Sequence, residues 1–302
     1  MKTQSVTNDI RIGTLVNAGM KSPDYIRQIM HHGFESYCLT FWQTTQGIDW
    51  KKLARGVNEV LDGTGARISG LSVFGNPLET EPKDLETVKG WKECIDHAHL
   101  FGATFVSGFA GRLRNKPIDE SMPRLKKVFE PLAKRAKDKG LSLAFENCDM
   151  GGTWKTGDWN VAQTPKAWDM IFNVLPYDNV GLEWEPCHQM VKLIDPMPQL
   201  RKYVSKIIHV HGKDATIHWD VVREHGVFGP TPFAFHRTPG FGDSNWTDII
   251  SELRLSGFKG AIDIEGWHDP VYRGPLEMTG QVHALNYLKR CRGGDMIDNP
   301  VV

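Results

Sequence analysis

Between Ile207 and Asp214 the chain reads IIHVHGKD, an apolar, β-branched start that runs into two imidazoles, an ammonium and a carboxylate. In an extended strand alternate side chains share a face, so His209, His211 and Lys213 point one way while Ile208 and Val210 point the other. Two histidines and a lysine turned into a core are costly unless something satisfies them, and either a metal or a polar pocket would do so. Carboxylates recur at comparable places: LSLAFE ends at Glu146, followed by Asn147; VGLEWE ends at Glu185, with His188 just beyond; GAIDIE ends at Glu265. Taken singly, a glutamate after a strand is usually a solvated loop residue. Three of them and a histidine, each closing an otherwise apolar run, point to one shared site.

Strands and helices must alternate to bring these ends together. Strands are expected over 10–16, 36–42, 67–74, 104–109, 141–146, 180–185, 207–214 and 260–265, with helices between them and a last helix near 276–292. Ser22-Pro23 reads as a cap and first-turn pair, and Gly33 as the stop of that helix. Eight strand–helix units, with no linker or low-complexity segment, predict one α/β domain over residues 1–302, a (β/α)8 TIM barrel. A doubly wound open sheet is the alternative, and the absence of a Gly-rich phosphate loop after the first strand counts against it. In a barrel the functional groups sit at the C-terminal ends of the strands, where all four candidates fall.

Strand phase refines this picture. Glu146 shares a face with the small Ser142 and Ala144, which suit a crowded interior, whereas Leu141, Leu143 and Phe145 face the helices. The same alternation puts Glu183 with Glu185 and Asp263 with Glu265. Glu183, His209 and Asp263 then form a deeper polar layer, which either orients the groups above it by hydrogen bonds or is a satisfied core network.

Residues 215–240 form an unusually long connection rich in histidine and aromatic residues, read as a lid-like insertion or an oligomer contact. Trp154, Trp159 and Trp184 are candidates for the pocket wall. Lys213 and Asp214 either contact substrate or pair with each other. The 36 basic and 36 acidic residues balance, which argues against nucleic-acid and membrane partners. Five scattered cysteines without a CxxC pair suit free thiols in a reducing compartment, and no apolar leader or long apolar run is seen, so a cytoplasmic protein is expected.

At LAFEN (143–147), GLEWEPCH (181–188), HVHGKD (209–214), RTPGFGDSNW (237–246) and IEGW (264–267) the chain resembles the sugar phosphate isomerase/epimerase family, the xylose-isomerase-like barrels. That family includes ketose 3-epimerases, inosose dehydratases and keto-glycoside epimerases. The resemblance implies that Glu146, Glu185, His211 and Glu265 bind one divalent metal, with His188 and Arg237 beside it as substrate-binding residues. Two positions depart from the family pattern: Glu185 stands where an aspartate is usual, and Cys148 where a histidine often follows the Glu-Asn pair.

Carboxylates and an imidazole without a thiolate suit Mn²⁺ first, with Mg²⁺, Co²⁺ and Zn²⁺ compatible. The expected activity is a metal-dependent epimerisation or isomerisation of a keto-sugar or keto-glycoside through a metal-stabilised enediolate. Glu146 and Glu265, on strands expected to lie nearly opposite each other, are the catalytic pair. Lys213 and Trp154 are further substrate contacts. The alternative on the same scaffold is a lyase: an inosose-type dehydratase, or an enzyme cleaving a 3-keto-glycoside or C-glycoside. An AP endonuclease would need more histidines and a basic track, and a non-catalytic sugar-binding scaffold would be expected to have lost its ligands. The expected partner is a small sugar, with a homo-oligomer or a second subunit left open.

Overall fold

The computed structural model describes residues 9–297 and 299–300. Eight parallel strands close into a barrel: β1 (Arg11–Asn17), β2 (Ser36–Trp42), β3 (Arg67–Phe74), β4 (Phe105–Gly108), β5 (Ser142–Glu146), β6 (Val180–Trp184), β7 (Ile207–Gly212) and β10 (Ala261–Ile264). Their order around the ring is β1-β10-β7-β6-β5-β4-β3-β2. The two remaining strands, β8 (Asp214–Ile217) and β9 (Ala234–Arg237), pair antiparallel outside the barrel.

Among the described residues ten α-helices accompany them: α1 (Ser22–Ile29), α2 (Trp50–Leu61), α3 (Pro82–His97), α4 (Met122–Asp138), α5 (Pro165–Val174), α6 (Cys187–Met190), α7 (Pro196–Tyr203), α8 (Trp219–His225), α9 (Trp246–Leu255) and α10 (Glu277–Arg292). Among the described residues none is long and apolar enough to cross a membrane.

Local chemistry sets most boundaries. Asp49, Thr164 and Asn245 cap α2, α5 and α9 by accepting from backbone N–H groups in the first turn. Gly33 adopts the left-handed conformation that ends the turn after α1. The expected Ser22 cap does not form. Lys21 takes the N-cap position, and the Ser22 hydroxyl instead accepts from the Gly19 N–H and donates to the Asn17 carbonyl, bracing the loop after β1.

The core lies between sheet and helices. Phe145, on the outward face of β5, packs against Phe129 of α4 and Trp91 of α3. The barrel interior instead carries a polar layer. His209 spans it, with Glu183 on one side and Asp263 on the other, and Ser36 and Ser69 donate to Asp263 while Ser107 donates to Glu183. Gly13 makes room for this layer, because a Cβ there would collide with the Ser36 carbonyl and the Asp263 carboxylate.

The 215–240 connection is more ordered than a loop. Its arms are β8 and β9, with α8 between them, and Trp219 and Phe228 stand exposed on it. His236 of β9 reaches back to the barrel mouth, its ring 5.0 Å from that of His188.

Candidate metal centre

The ends of β5 and β6 are tied to each other, as are those of β7 and β10. Asn147 donates to the Glu185 carbonyl and accepts from the Glu185 N–H, joining the chain just past β5 to the chain just past β6. Asn160 donates to the carbonyls of Glu146 and Cys148, fixing the exit from β5. The Glu265 N–H donates to the Gly212 carbonyl, which holds the end of β10 against β7.

On this frame Glu146, His211 and Glu265 converge, all buried, with ligand atoms within 4.8 Å of one another. His211 Nδ1 lies 2.9 Å from Glu146 Oε1 and 3.1 Å from Glu265 Oε2, and its Nε2 lies 3.2 Å from Glu183 Oε1. β5 and β10 stand three steps apart in the ring of eight, with β6 and β7 between them, so their strands are nearly opposite as expected, and both carboxylates reach the same nitrogen of His211.

Glu185 is placed differently. It is fully buried, but its Oε1 turns to His188 Nε2 at 2.8 Å, and it is not among the three groups that converge.

Burial raises the Glu146 carboxyl above its ordinary range; His211 opposes this, while Glu265 and Glu183 add to it. For Glu265 burial acts upward too, but Lys213, whose Nζ is 2.7 Å from Oε1, together with His211 and His268 more than offsets it and holds the group well below that range. Burial likewise works against ionisation of Glu183, yet the imidazoles of His211 and His209 bring it down to about 2. Burial lowers His188, and Lys213, 3.3 Å away, lowers it further. Burial and Lys213 also bring His236 down to about 4.

The donor set fits a divalent cation. Five carboxylates (Glu146, Glu183, Glu185, Asp263 and Glu265) lie among Lys213 and three imidazoles (His188, His209 and His211), an excess of negative charge in a buried place. Several polar atoms there lack a hydrogen bond of good geometry: both Glu185 oxygens, Glu265 Oε2 and both His211 nitrogens. Buried lone pairs without partners are expensive, and oxygen and imidazole donors of this kind are what a hard or borderline cation takes.

Of the other expected contacts, His188 stands beside the cluster through Glu185 and Lys213. Lys213 pairs with Glu265 and not with Asp214, which instead accepts from Trp246 Nε1 and the Ser244 N–H. Arg237 donates to Asp269 and does not line the mouth cavity. Trp154 lies apart as well, because Arg112 takes the carbonyls of Thr153, Trp154 and Lys116 and draws that loop away. Trp184 is core, its indole N–H donated to Gln189, and Trp159 packs on Trp42.

The cavity that reaches Glu146, His211 and Glu265 has a volume of about 330 Å³. Trp42, Phe74, Phe109 and Trp267 wall it, none of them anticipated from the sequence. Their signal was available: Trp42 and Phe74 are the last residues of β2 and β3, the same position that singled out the carboxylates.

The profile described as "Xylose isomerase-like TIM barrel" matches residues 26–291. An inosose dehydratase of Bacillus cereus is 28% identical over 220 residues, covering 68% of this chain and 70% of its own length. Among solved structures, the 3-keto-D-glucoside 4-epimerase of E. coli superposes with a TM-score of 0.68 at 14% identity, covering 94% of this chain and 100% of its own. A xylose isomerase-like TIM barrel protein of Mycobacterium smegmatis in complex with magnesium gives 0.66 at 16% identity, covering 94% and 98%. At these identities the two structures speak for the fold.

Proposed function

We propose that this chain, which belongs to the xylose isomerase-like TIM barrel family, removes and returns a proton beside the carbonyl of a keto-sugar or keto-glycoside, giving epimerisation or isomerisation. One observation carries the reading: Glu146 and Glu265 bring two carboxylates to the same ring nitrogen of His211, inside a sugar-sized cavity with aromatic walls.

In this reading Glu146, His211 and Glu265 would hold a divalent cation, Mn²⁺ foremost, with Glu185 as a fourth donor. Such a cation would polarise the substrate carbonyl as a Lewis acid and make the neighbouring C–H more acidic. One carboxylate takes that proton and leaves an enediolate. The other returns a proton to the opposite face in epimerisation, or to the adjoining carbon in isomerisation. Lys213 holds Glu265 in position through its 2.7 Å contact, and the walls of Trp42, Phe74 and Phe109 keep water from the enediolate. Five free cysteines support a reducing, cytoplasmic setting.

The inosose dehydratases among the curated relatives favour a second reading, elimination. The same C–H is broken, the electron pair forms a carbon–carbon double bond, and the β-hydroxyl leaves with a proton as water.

The deciding experiment is deuterium uptake from D₂O into keto-sugars, 3-keto-glucosides and an inosose, with Mn²⁺-loaded protein. Exchange that disappears in Glu146→Gln and Glu265→Gln supports the reading. Absence of exchange and of product across the panel overturns it, and an ultraviolet-absorbing enone would assign elimination.

A further inference from the structure

The mouth cavity does not end at the sugar-sized space above the carboxylates. A second cleft of about 460 Å³ opens on the same end of the barrel, between the first and last strand–helix units. Leu15, Asn17 and Trp267 line both spaces, so the half-buried Trp267 forms the wall between them and Asn17 stands at the junction. The far side of the cleft is made by Tyr25 of α1 and Met278 of α10.

We propose that this cleft is a subsite for a neutral ring joined to the keto-sugar, and that the substrate is accordingly a keto-glycoside rather than a free keto-sugar. The inference rests on the reading of the carboxylate cluster as the reacting site. A monosaccharide occupying the 330 Å³ space leaves the adjoining cleft unfilled, whereas a substituent on that sugar passes directly over Asn17, whose amide offers both a donor and an acceptor to the linkage.

Trp267, Tyr25 and Met278 provide flat and polarisable surfaces of the kind that pack on rings. The charged groups on the lining are Lys21 and Glu277, one of each sign. Their balance leaves no net charge to attract a phosphate or a carboxylate, which is why the ring is assigned as neutral. Tyr25 is 37% exposed, an aromatic surface that a bound ring would cover. An aryl ring and a second sugar share this chemistry, and the test separates them.

Calorimetric titration of the Mn²⁺-loaded protein with the methyl β-glucoside, the phenyl β-glucoside and the disaccharide, each oxidised to the 3-keto form, reads the subsite directly. The ring-bearing ligands should bind about tenfold more tightly than the methyl glycoside, the phenyl one for an aryl subsite and the disaccharide for a sugar subsite. In the double variant Tyr25→Ala/Met278→Ala that advantage should disappear. A general folding defect would weaken all three ligands and leave their ratio intact, so the ratio is the readout.

Equal affinity for the three ligands, no binding of any, or an advantage that survives the double variant would overturn the subsite. Deuterium exchange on the same ligands keeps the two readings apart. Discrimination without exchange would sink the reaction and leave the subsite standing, and exchange without discrimination would do the reverse.

Discussion

Glu183 Oε1 lies 2.7 Å from His209 Nδ1 and 3.2 Å from His211 Nε2, so one carboxylate oxygen serves two imidazoles at successive depths of the barrel. With Glu183 behind its Nε2, His211 turns Nδ1 toward Glu146 and Glu265. His209 contacts a carboxylate through each ring nitrogen, which favours its imidazolium form; burial opposes the charge, but Asp263 and Glu183 outweigh it and raise the group. The polar layer is thus linked to the cluster above it through a single atom.

That link predicts the effect of His209→Gln. The variant should bind Mn²⁺ about 10- to 100-fold more weakly, although His209 lies below the cluster, because the support behind His211 is disturbed. It should also lose about 3 kcal/mol of stability as Glu183 and Asp263 lose their shared partner. Metal competition against a calibrated chelator and urea unfolding measure the two effects. Unchanged metal affinity in a folded variant would mean that the layer serves the core alone.

The position of Glu185 predicts unequal ligands. His211→Asn and Glu146→Gln should purify without a bound divalent ion, whereas Glu185→Gln should retain one with an affinity reduced about tenfold. Metal content after dialysis measures this. Equal loss in all three variants would put Glu185 on the same footing as the converging groups.

At the opposite end of the barrel, Glu35 accepts from both Arg292 terminal nitrogens and from the Ile12 N–H, with Lys289 3.3 Å away. Burial acts upward on its carboxyl, but Arg292 and the Ile12 N–H more than offset this, so its pKa is lower folded than unfolded. The resulting stabilisation is present in full above the unfolded pKa and is lost as pH falls through the lower folded value. Glu35→Gln should therefore cost about 2 kcal/mol at pH 7. The gap from wild type should close on acidification below about pH 4, the unfolded range of glutamate. Urea unfolding at several pH values tests this, and a gap that persists in acid would rule out the ion pair as its source.

Gly13→Ala should cost about 1–3 kcal/mol, because the added methyl displaces Ser36 or Asp263 in a closely packed interior. Thermal unfolding with and without Mn²⁺ measures it, and an unshifted midpoint would show that the barrel has slack at this point.

What could be read in advance follows physical periodicity. Strand alternation located Glu146, His211 and Glu265 at the ends of buried runs and separated Glu183, His209 and Asp263 one pair deeper, because period two is written into the chain itself. Partners brought from far along the chain were not legible. Asp269 claims Arg237, Glu265 takes Lys213 from its neighbour Asp214, and Arg112 draws away the loop bearing Trp154. The aromatic wall was missed for another reason: Trp42 and Phe74 read as core in any hydrophobicity pattern, and only closure of the ring turns them toward the mouth.

The polar interior also bears on how the ring closes. Aliphatic layers tolerate a strand that slides, because one branched side chain substitutes for another. Here a slip of one residue in β6, β7 or β10 would turn Glu183, His209 or Asp263 outward against the apolar helix-facing core and strand its partners as buried charges. Mispaired closures are thereby penalised far more than in an oily barrel, and the wiring beneath the candidate metal centre doubles as a key that selects the correct alignment during folding.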